Sequence, residues 1–76
     1  MSNQILYQSL AEEVAPYHES VDYIVDCQPE LWDKIVELDD KLHIERDSLS
    51  TNEFYKLLIE LKKHIISAKQ YYDDHR

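Results

Sequence analysis

The chain contains no glycine among its 76 residues, and this absence limits the backbone conformations that it can use. Tight turns, left-handed helix caps and phosphate-cradling loops all depend on residues that tolerate positive φ, and glycine is the commonest of these. Walker loops and dinucleotide-binding loops are therefore excluded as they are normally built. Without glycine, the chain is not expected to bind nucleotides through either of these loops.

Apolar residues follow helical spacing along nearly the whole chain, and this pattern predicts an all-α fold. Pro16 lies within the first segment, about 3–26, where it removes one helical hydrogen bond and clashes with the preceding turn. The first helix is therefore expected to be kinked or broken near Pro16. A kink is favoured because Ala15 would be a poor N-cap for a new helix. The apolar stripe of this segment comprises Leu6, Leu10, Val14, Tyr17, Val21 and Ile24.

A second helix is predicted over about 29–43. Pro29 suits the first position of a helix, and Asp26 or Gln28 is available to cap it. A connector is expected over 44–49. The buried line of this helix is predicted to be Leu31, Ile35, Leu38 and Leu42, widened by Trp32 and Val36.

A third helix is predicted over about 51–73, and its start is the best marked in the sequence. Residues 50–53 read Ser-Thr-Asn-Glu, which is a capping box, and Leu49 and Phe54 occupy the two positions of a hydrophobic staple. Apolar residues then alternate four and three positions apart, which is a heptad seam that packs at about 20° to its neighbours. Because the connectors are short, we expect one domain over 1–76, a small antiparallel three-helix bundle. The seam comprises Phe54, Leu58, Leu61, Ile65, Ala68 and Tyr72.

Size and cysteine content exclude several further classes of protein. A domain of this length buries only about 60% of the surface of its unfolded chain, so a deep enclosed pocket is not expected. Cys27 is the only cysteine, which rules out a disulfide framework and a thiolate zinc cluster and fits a reducing setting. No stretch approaches the roughly 18 apolar residues of a membrane span, and the N-terminus lacks a signal pattern. We expect a cytoplasmic protein that does not bind membranes.

Charge is the strongest functional signal in the sequence. The chain has 16 acidic and 8 basic residues, and its formal net charge is -8. Glu12, Glu19 and Asp26 recur every seven residues, so a continuous helix would place them on one face about 10 Å apart. We call these three residues the acidic ridge. Residues 1–33 contain no Lys or Arg and seven acids: Glu12, Glu13, Glu19, Asp22, Asp26, Glu30 and Asp33.

Two interpretations of this acidic stretch remain open. It is either a helix face that is solvated or paired with the lysines of the third helix, or a surface that binds a basic partner, with carboxylates standing where phosphates would otherwise sit. Direct binding of nucleic acid is not expected, because that requires clustered Lys and Arg. Interfaces favour Tyr and Trp, and Tyr23 and Trp32 are the best hot-spot candidates because they lie near the acidic ridge. The alternative is that these aromatic side chains flank a thin core and shield it. The predicted partner-binding residues are Glu12, Glu19, Asp22, Tyr23, Asp26, Glu30, Trp32 and Asp33.

Other kinds of site have weaker support in the sequence. Asp40 with His43 and Glu60 with His64 have spacings that align ligands on a helix face, but a di-metal carboxylate bundle needs more ligands than these. Cys27 would be reactive if the start of the second helix lowered its pKa, although a lone cysteine beside an apolar stripe is more often core filler. No hydrolytic triad can be assembled. We expect no catalytic residues, no metal and no cofactor.

The sequence therefore favours a small acidic non-enzymatic binding protein, a regulator or inhibitor that docks on a basic surface of a larger protein, which could be a nucleic-acid-binding surface. In size and charge the chain resembles small acidic helical proteins that block or modulate a larger protein, without a shared motif. The alternative is a self-associating helical module. In that case the apolar seams, with Tyr71 and Tyr72, would continue into a second copy, and dimerisation would add to a thin core.

Overall fold

The computed structural model describes residues 2–75, and all regular structure within that range is helical. The predicted all-α class is confirmed. The helices predicted over 29–43 and 51–73 end within two residues of those bounds, whereas the segment predicted over 3–26 is divided into two helices and a 3₁₀ turn. The elements in chain order are α1 (Asn3–Val14), a 3₁₀ turn (Ala15–Tyr17), α2 (His18–Cys27), α3 (Pro29–Ile44) and α4 (Thr51–His75).

The region of Pro16 is a change of helix type within a continuous helical path. The 3₁₀ turn joins α1 to α2, and the backbone N–H of His18 donates to the carbonyl of Ala15. The tighter i to i+3 pattern accommodates a residue that has no N–H of its own. Three 3₁₀ residues also turn the chain about 60° further than three α-helical residues would. This extra rotation moves the buried face of α2 toward Ser20, which is buried together with Ile24.

Local hydrogen bonds mark where the helices begin. The Ser2 hydroxyl accepts from the backbone N–H of Ile5 at 3.2 Å. At the start of α4, the Ser50 hydroxyl accepts from the N–H of Glu53 at 3.2 Å, which is one half of the predicted capping box. Gln28 occupies the N-cap position of α3 but makes no side-chain cap, contrary to the expectation for Asp26 or Gln28. A single residue between α2 and α3 leaves little freedom for a capping side chain.

The backbone of residues 2–75 contains no positive φ angle. The connector between α3 and α4 is closed instead by the N–H groups of Ser48 and Leu49, which both donate to the carbonyl of Glu45 at 3.0 Å. The chain passes from α3 to α4 without the left-handed conformation that glycine favours.

One hydrophobic core draws on all four helices, and α4 supplies most of it. Phe54, Ile24 and Leu42 are the largest fully buried side chains. Five of the six residues in the predicted heptad seam are buried; the sixth, Tyr72, is half-buried, whereas Tyr71 packs against the core. The buried apolar residues are Leu10, Ile24, Ile35, Leu42, Phe54, Leu58, Leu61, Ile65 and Ala68.

Candidate functional site

The predicted acidic residues all lie at the surface, on three consecutive helices. α1 contributes Glu12, and Glu30 stands in the first turn of α3, where the helix dipole favours negative charge. Burying so many carboxylates without partners would be strongly unfavourable, so their exposure follows from their number. The exposed acids of the predicted interface are Glu12, Glu19, Asp22, Asp26, Glu30 and Asp33.

Ion pairs within residues 2–75 do not neutralise this acidic surface. Lys62 of α4 pairs with Glu13, and Lys69 pairs with Asp73 of its own helix at 2.6 Å. The hydrogen bond to Glu13 raises the pKa of Lys62, although desolvation opposes that effect. Glu19 accepts a hydrogen bond from the Tyr72 hydroxyl at 3.2 Å. Of the residues 1–33, Glu13 thus forms the predicted ion pair with a lysine of α4. The three residues of the acidic ridge have no cationic partner among residues 2–75.

The 3₁₀ turn changes the alignment that was expected for the acidic ridge. Glu19 and Asp26 both lie on α2, seven residues apart, and so share one face of that helix. Glu12 precedes the turn, and the extra rotation of about 60° displaces it from the line that a continuous α-helix would give. The ridge therefore runs along α2, with Glu12 set to one side.

Tyr23, a predicted hot spot, belongs to an aromatic cluster that connects α2 to the end of α4. Its ring meets Tyr72 edge-on at a centroid distance of 5.3 Å and lies 6.2 Å from the ring of Tyr71. Tyr71 in turn stacks on His75 at 4.0 Å. Desolvation, with a smaller contribution from Cys27, raises the pKa of Tyr23. Part of the Tyr23 ring therefore already contacts other residues of the chain, close to the hydrogen bond that Tyr72 donates to Glu19.

Trp32, the second predicted hot spot, lines an apolar cleft between α1 and α3. Both helices pack against α4, but they approach each other closely at few points. The cleft between them has a volume of about 300 Å³. We call it the α1–α3 cleft, and its apolar walls and floor include Ala11, Val14, Trp32, Val36, Leu61 and Ile65. The sequence predicted that Trp32 would widen a buried stripe; in the structure it is half-buried.

Polar residues bridge the α1–α3 cleft. The Tyr7 hydroxyl donates to the Asp39 carboxylate at 2.5 Å, and the Tyr7 ring meets His43 edge-on at 4.8 Å. Burial and this hydrogen bond raise the pKa of the Tyr7 phenol. The Nδ1 atom of His43 also lies 2.9 Å from the carbonyl of Asp39. Sequence reasoning missed this cluster, since no local pattern relates Tyr7 to a residue on another helix.

The residues weighed for metal or thiol chemistry are dispersed. Within residues 2–75, no three His, Cys, Asp or Glu side chains are grouped closely enough to hold a metal ion. His43 contacts Asp39, whereas the spacing considered from the sequence paired His43 with Asp40. Cys27 is free and exposed at the last residue of α2.

Comparison with known proteins finds no matching family model, no matching curated protein and no matching solved structure. Among the helices of residues 2–75, none combines the length and the apolar character needed to cross a membrane.

Proposed function

We propose that this chain is a small cytoplasmic, non-enzymatic binding protein, a regulator or inhibitor, whose acidic surface docks on a basic surface of a larger protein. The observation that carries the proposal is the set of exposed carboxylates between residues 12 and 33, in a stretch without Lys or Arg. Their charges are not paired with cations elsewhere in residues 2–75, apart from Glu13. Such a surface attracts a cationic partner over long range.

Like charges that stand close together repel one another, and a cationic partner relieves that repulsion. A surface that binds nucleic acid is one basic surface of this kind, because carboxylates can stand where phosphates would otherwise sit. Tyr23 and Trp32 supply the contact area that charge alone does not, because aromatic side chains bury a large surface at low entropic cost. The chain would block or modulate its partner by occupying that surface.

The proposal includes an arrangement of the helices, an antiparallel three-helix bundle in which α1 and α2 form one arm. In such a bundle the first and third helices run parallel to each other. Three side-chain contacts between this arm and α4 support that arrangement, because the contacting residues follow the same order along the arm and along α4. Asn3 contacts Leu49 just before α4, Glu13 pairs with Lys62, and Glu19 contacts Tyr72. Tyr7, near the start of α1, contacts Asp39 near the end of α3, as expected for antiparallel neighbours. This arm would hold Glu19, Asp22 and Asp26 on one face of α2, with Glu12 beside that face.

The test compares two variants of equal charge. Glu12→Gln, Glu19→Gln, Asp22→Asn and Asp26→Asn together neutralise the proposed surface. Glu37→Gln, Asp47→Asn, Glu60→Gln and Asp74→Asn together remove the same charge from exposed positions elsewhere. Tagged wild type and variants are used to recover partners from lysate at low and high salt, and the partner is then titrated calorimetrically with each protein.

We expect the first variant and high salt to abolish binding, because exposed charge attraction is screened within about 8–10 Å at ordinary ionic strength. The second variant should bind nearly as the wild type does. Equal weakening by both variants would show that only net charge matters, and binding that ignores both salt and the first variant would overturn the proposal.

Self-association is a second candidate, and one observation favours it. Tyr55, Ile59 and Ile66 are 53%, 44% and 36% exposed, and their spacing places them on one face of α4. Tyr71, by contrast, packs against its own core, so the predicted continuation of that residue into a second copy has less surface to use. Sedimentation equilibrium of wild type and Ile59→Lys tests this candidate: a dimer that dissociates in the variant supports it, and a wild-type monomer at all concentrations dismisses it.

A further inference from the structure

We propose that the α1–α3 cleft binds a bulky apolar side chain carried by a cationic amphipathic helix of the partner. This inference rests on the proposed function, because the same acidic surface attracts the cationic segment. It adds a second, apolar component of recognition and names the segment of the partner that provides it.

The size and lining of the cleft suit an apolar anchor. Its volume of about 300 Å³ is at the lower end of small-ligand pockets, about 300–1,000 Å³, which fits one or two side chains better than a whole cofactor. Trp32 and Val36 form one wall, Val14 forms part of the other, and Leu61 of α4 lies at the floor. Apolar surface of this kind gains free energy when a partner removes it from water.

The α1–α3 cleft is open because α1 and α3, which form its walls, are each held by α4 and contact each other little. α1 and α3 both pack on α4 and approach each other closely at few points, while the Tyr7 to Asp39 hydrogen bond fixes their separation at one place. Ala11 faces the cleft from α1, and its single methyl group leaves the space unfilled. The cleft therefore needs no rearrangement of the helices to admit a side chain.

Charge around the cleft favours a cation over an anion. Asp33 and Asp40 are exposed at three residues before and four residues after Val36, so both flank it on the same face of α3. Asp39 lines the cleft itself. Lys34 and Lys41 stand two residues before and five after Val36, on another side of the helix.

The remaining groups that face the cleft do not reverse this preference. α1 contains no Lys or Arg. His18 lines the cleft and His43 lies beside Asp39, and none of the described residues that line the cleft is Lys or Arg. An occupant that combines an apolar anchor with Lys or Arg matches both the walls and the rim. An amphipathic helix presents that combination, with anchors at i and i+4 and basic residues beside them.

Trp32 makes the test direct, since it is the only tryptophan in the chain and lines the cleft. The probes are two synthetic helical peptides with the same number of lysines, one with leucine at the anchor positions and the other with alanine. Binding is followed by Trp32 fluorescence and by calorimetry. Ala11→Phe fills the cleft, and Ser9→Phe adds the same ring at an exposed position of α1 outside it.

We expect the leucine peptide to shift Trp32 emission and to bind wild type about tenfold more tightly than the alanine peptide, the difference made by burying one or two leucines. Ala11→Phe should remove that difference and leave the alanine peptide unaffected, while Ser9→Phe should change neither affinity. Circular dichroism verifies that both variants are folded. Asp40→Asn leaves the packing intact and should weaken the leucine peptide about two- to fivefold.

The possible failures are distinguishable. The inference is overturned if Ala11→Phe still prefers the leucine peptide as wild type does. If Ala11→Phe does not fold, the inference is overturned when Asp40→Asn has no effect. In either case, weaker binding by the variant that neutralises Glu12, Glu19, Asp22 and Asp26 still supports the proposed function. If only that four-residue variant is without effect, the proposed function fails and the cleft is still shown to bind the peptide. A change of Trp32 emission with protein concentration alone would assign the cleft to a second copy of this chain and overturn the inference.

Discussion

The Tyr7 hydroxyl on α1 donates a 2.5 Å hydrogen bond to the Asp39 carboxylate on α3, across 32 residues of sequence. The two helices meet at few other points, so this bond is one of the few direct links between them. We expect Tyr7→Phe to lower the free energy of unfolding by about 1–2 kcal/mol, since the acceptor is charged and the site is half-buried. Urea denaturation measures the change. Tyr55→Phe removes a hydroxyl from a tyrosine that is 53% exposed, and it should alter stability by less than about 0.5 kcal/mol; equal losses would contradict the assignment.

Stability should decline at alkaline pH, partly through Tyr7. Its pKa is raised in the folded chain by burial and by the bond to Asp39, so the folded state holds the phenolic proton more tightly. The resulting stabilisation is fully present below the unfolded pKa of about 10 and is lost as the pH rises through the folded pKa. Above about pH 10, we expect the free energy of unfolding to fall less steeply with pH in Tyr7→Phe than in wild type. Tyr23 and Lys62 shift in the same direction but are common to both proteins, so identical slopes would refute this role of Tyr7.

Asn3 fastens the start of α1 to the connector before α4. Its amide nitrogen donates to the carbonyl of Arg46 at 2.7 Å and to that of Leu49 at 3.0 Å. Asn3→Ala should lower stability by about 1–2 kcal/mol, because two partly buried carbonyls lose their donor. Hydrogen exchange at the amides of Ser48 and Leu49 should accelerate as well. Gln4→Ala, at the exposed neighbouring position, is the matched control; unchanged exchange in Asn3→Ala would argue against the fastening.

Ser20 is only 3% exposed, on the face of α2 that also buries Ile24. Ser20→Leu should lower the free energy of unfolding by about 1–3 kcal/mol, because extra methylene groups force the neighbouring side chains from their preferred rotamers. Ser9→Leu makes the same replacement at an exposed position of α1 and should stay within about 0.5 kcal/mol of wild type. Thermal or urea unfolding of both variants and of wild type measures these changes in stability. A stabilised Ser20→Leu would mean that the site has unfilled space.

The helices and most of the core could be predicted because their signals are local. Phe54, Leu58 and Leu61 are buried as the heptad spacing predicts, and the Ser50 cap is present. Burial of Ser20 could not be predicted in the same way. Its polar side chain breaks the apolar pattern, and its position depends on how far the 3₁₀ turn rotates α2.

The acidic surface could also be predicted, since unpaired carboxylates stay in water wherever the helices lie. The α1–α3 cleft could not, because its existence depends on the distance between two helices that are fixed by a third. The Tyr7 to Asp39 bond and the fastening of Asn3 to Arg46 join residues 32 and 43 positions apart. No periodicity in one sequence encodes such pairs.

The absence of positive φ angles in residues 2–75 bears on how the surface can change over time. No described position demands glycine for its backbone, so an exposed side chain can be exchanged for almost any other except proline without altering the path of the chain. Selection on the fold then acts mainly on the core, and selection on the outer face comes from whatever the protein binds. Relatives that meet different partners would keep residues such as Phe54 and Leu42 while their outer faces diverged beyond recognition.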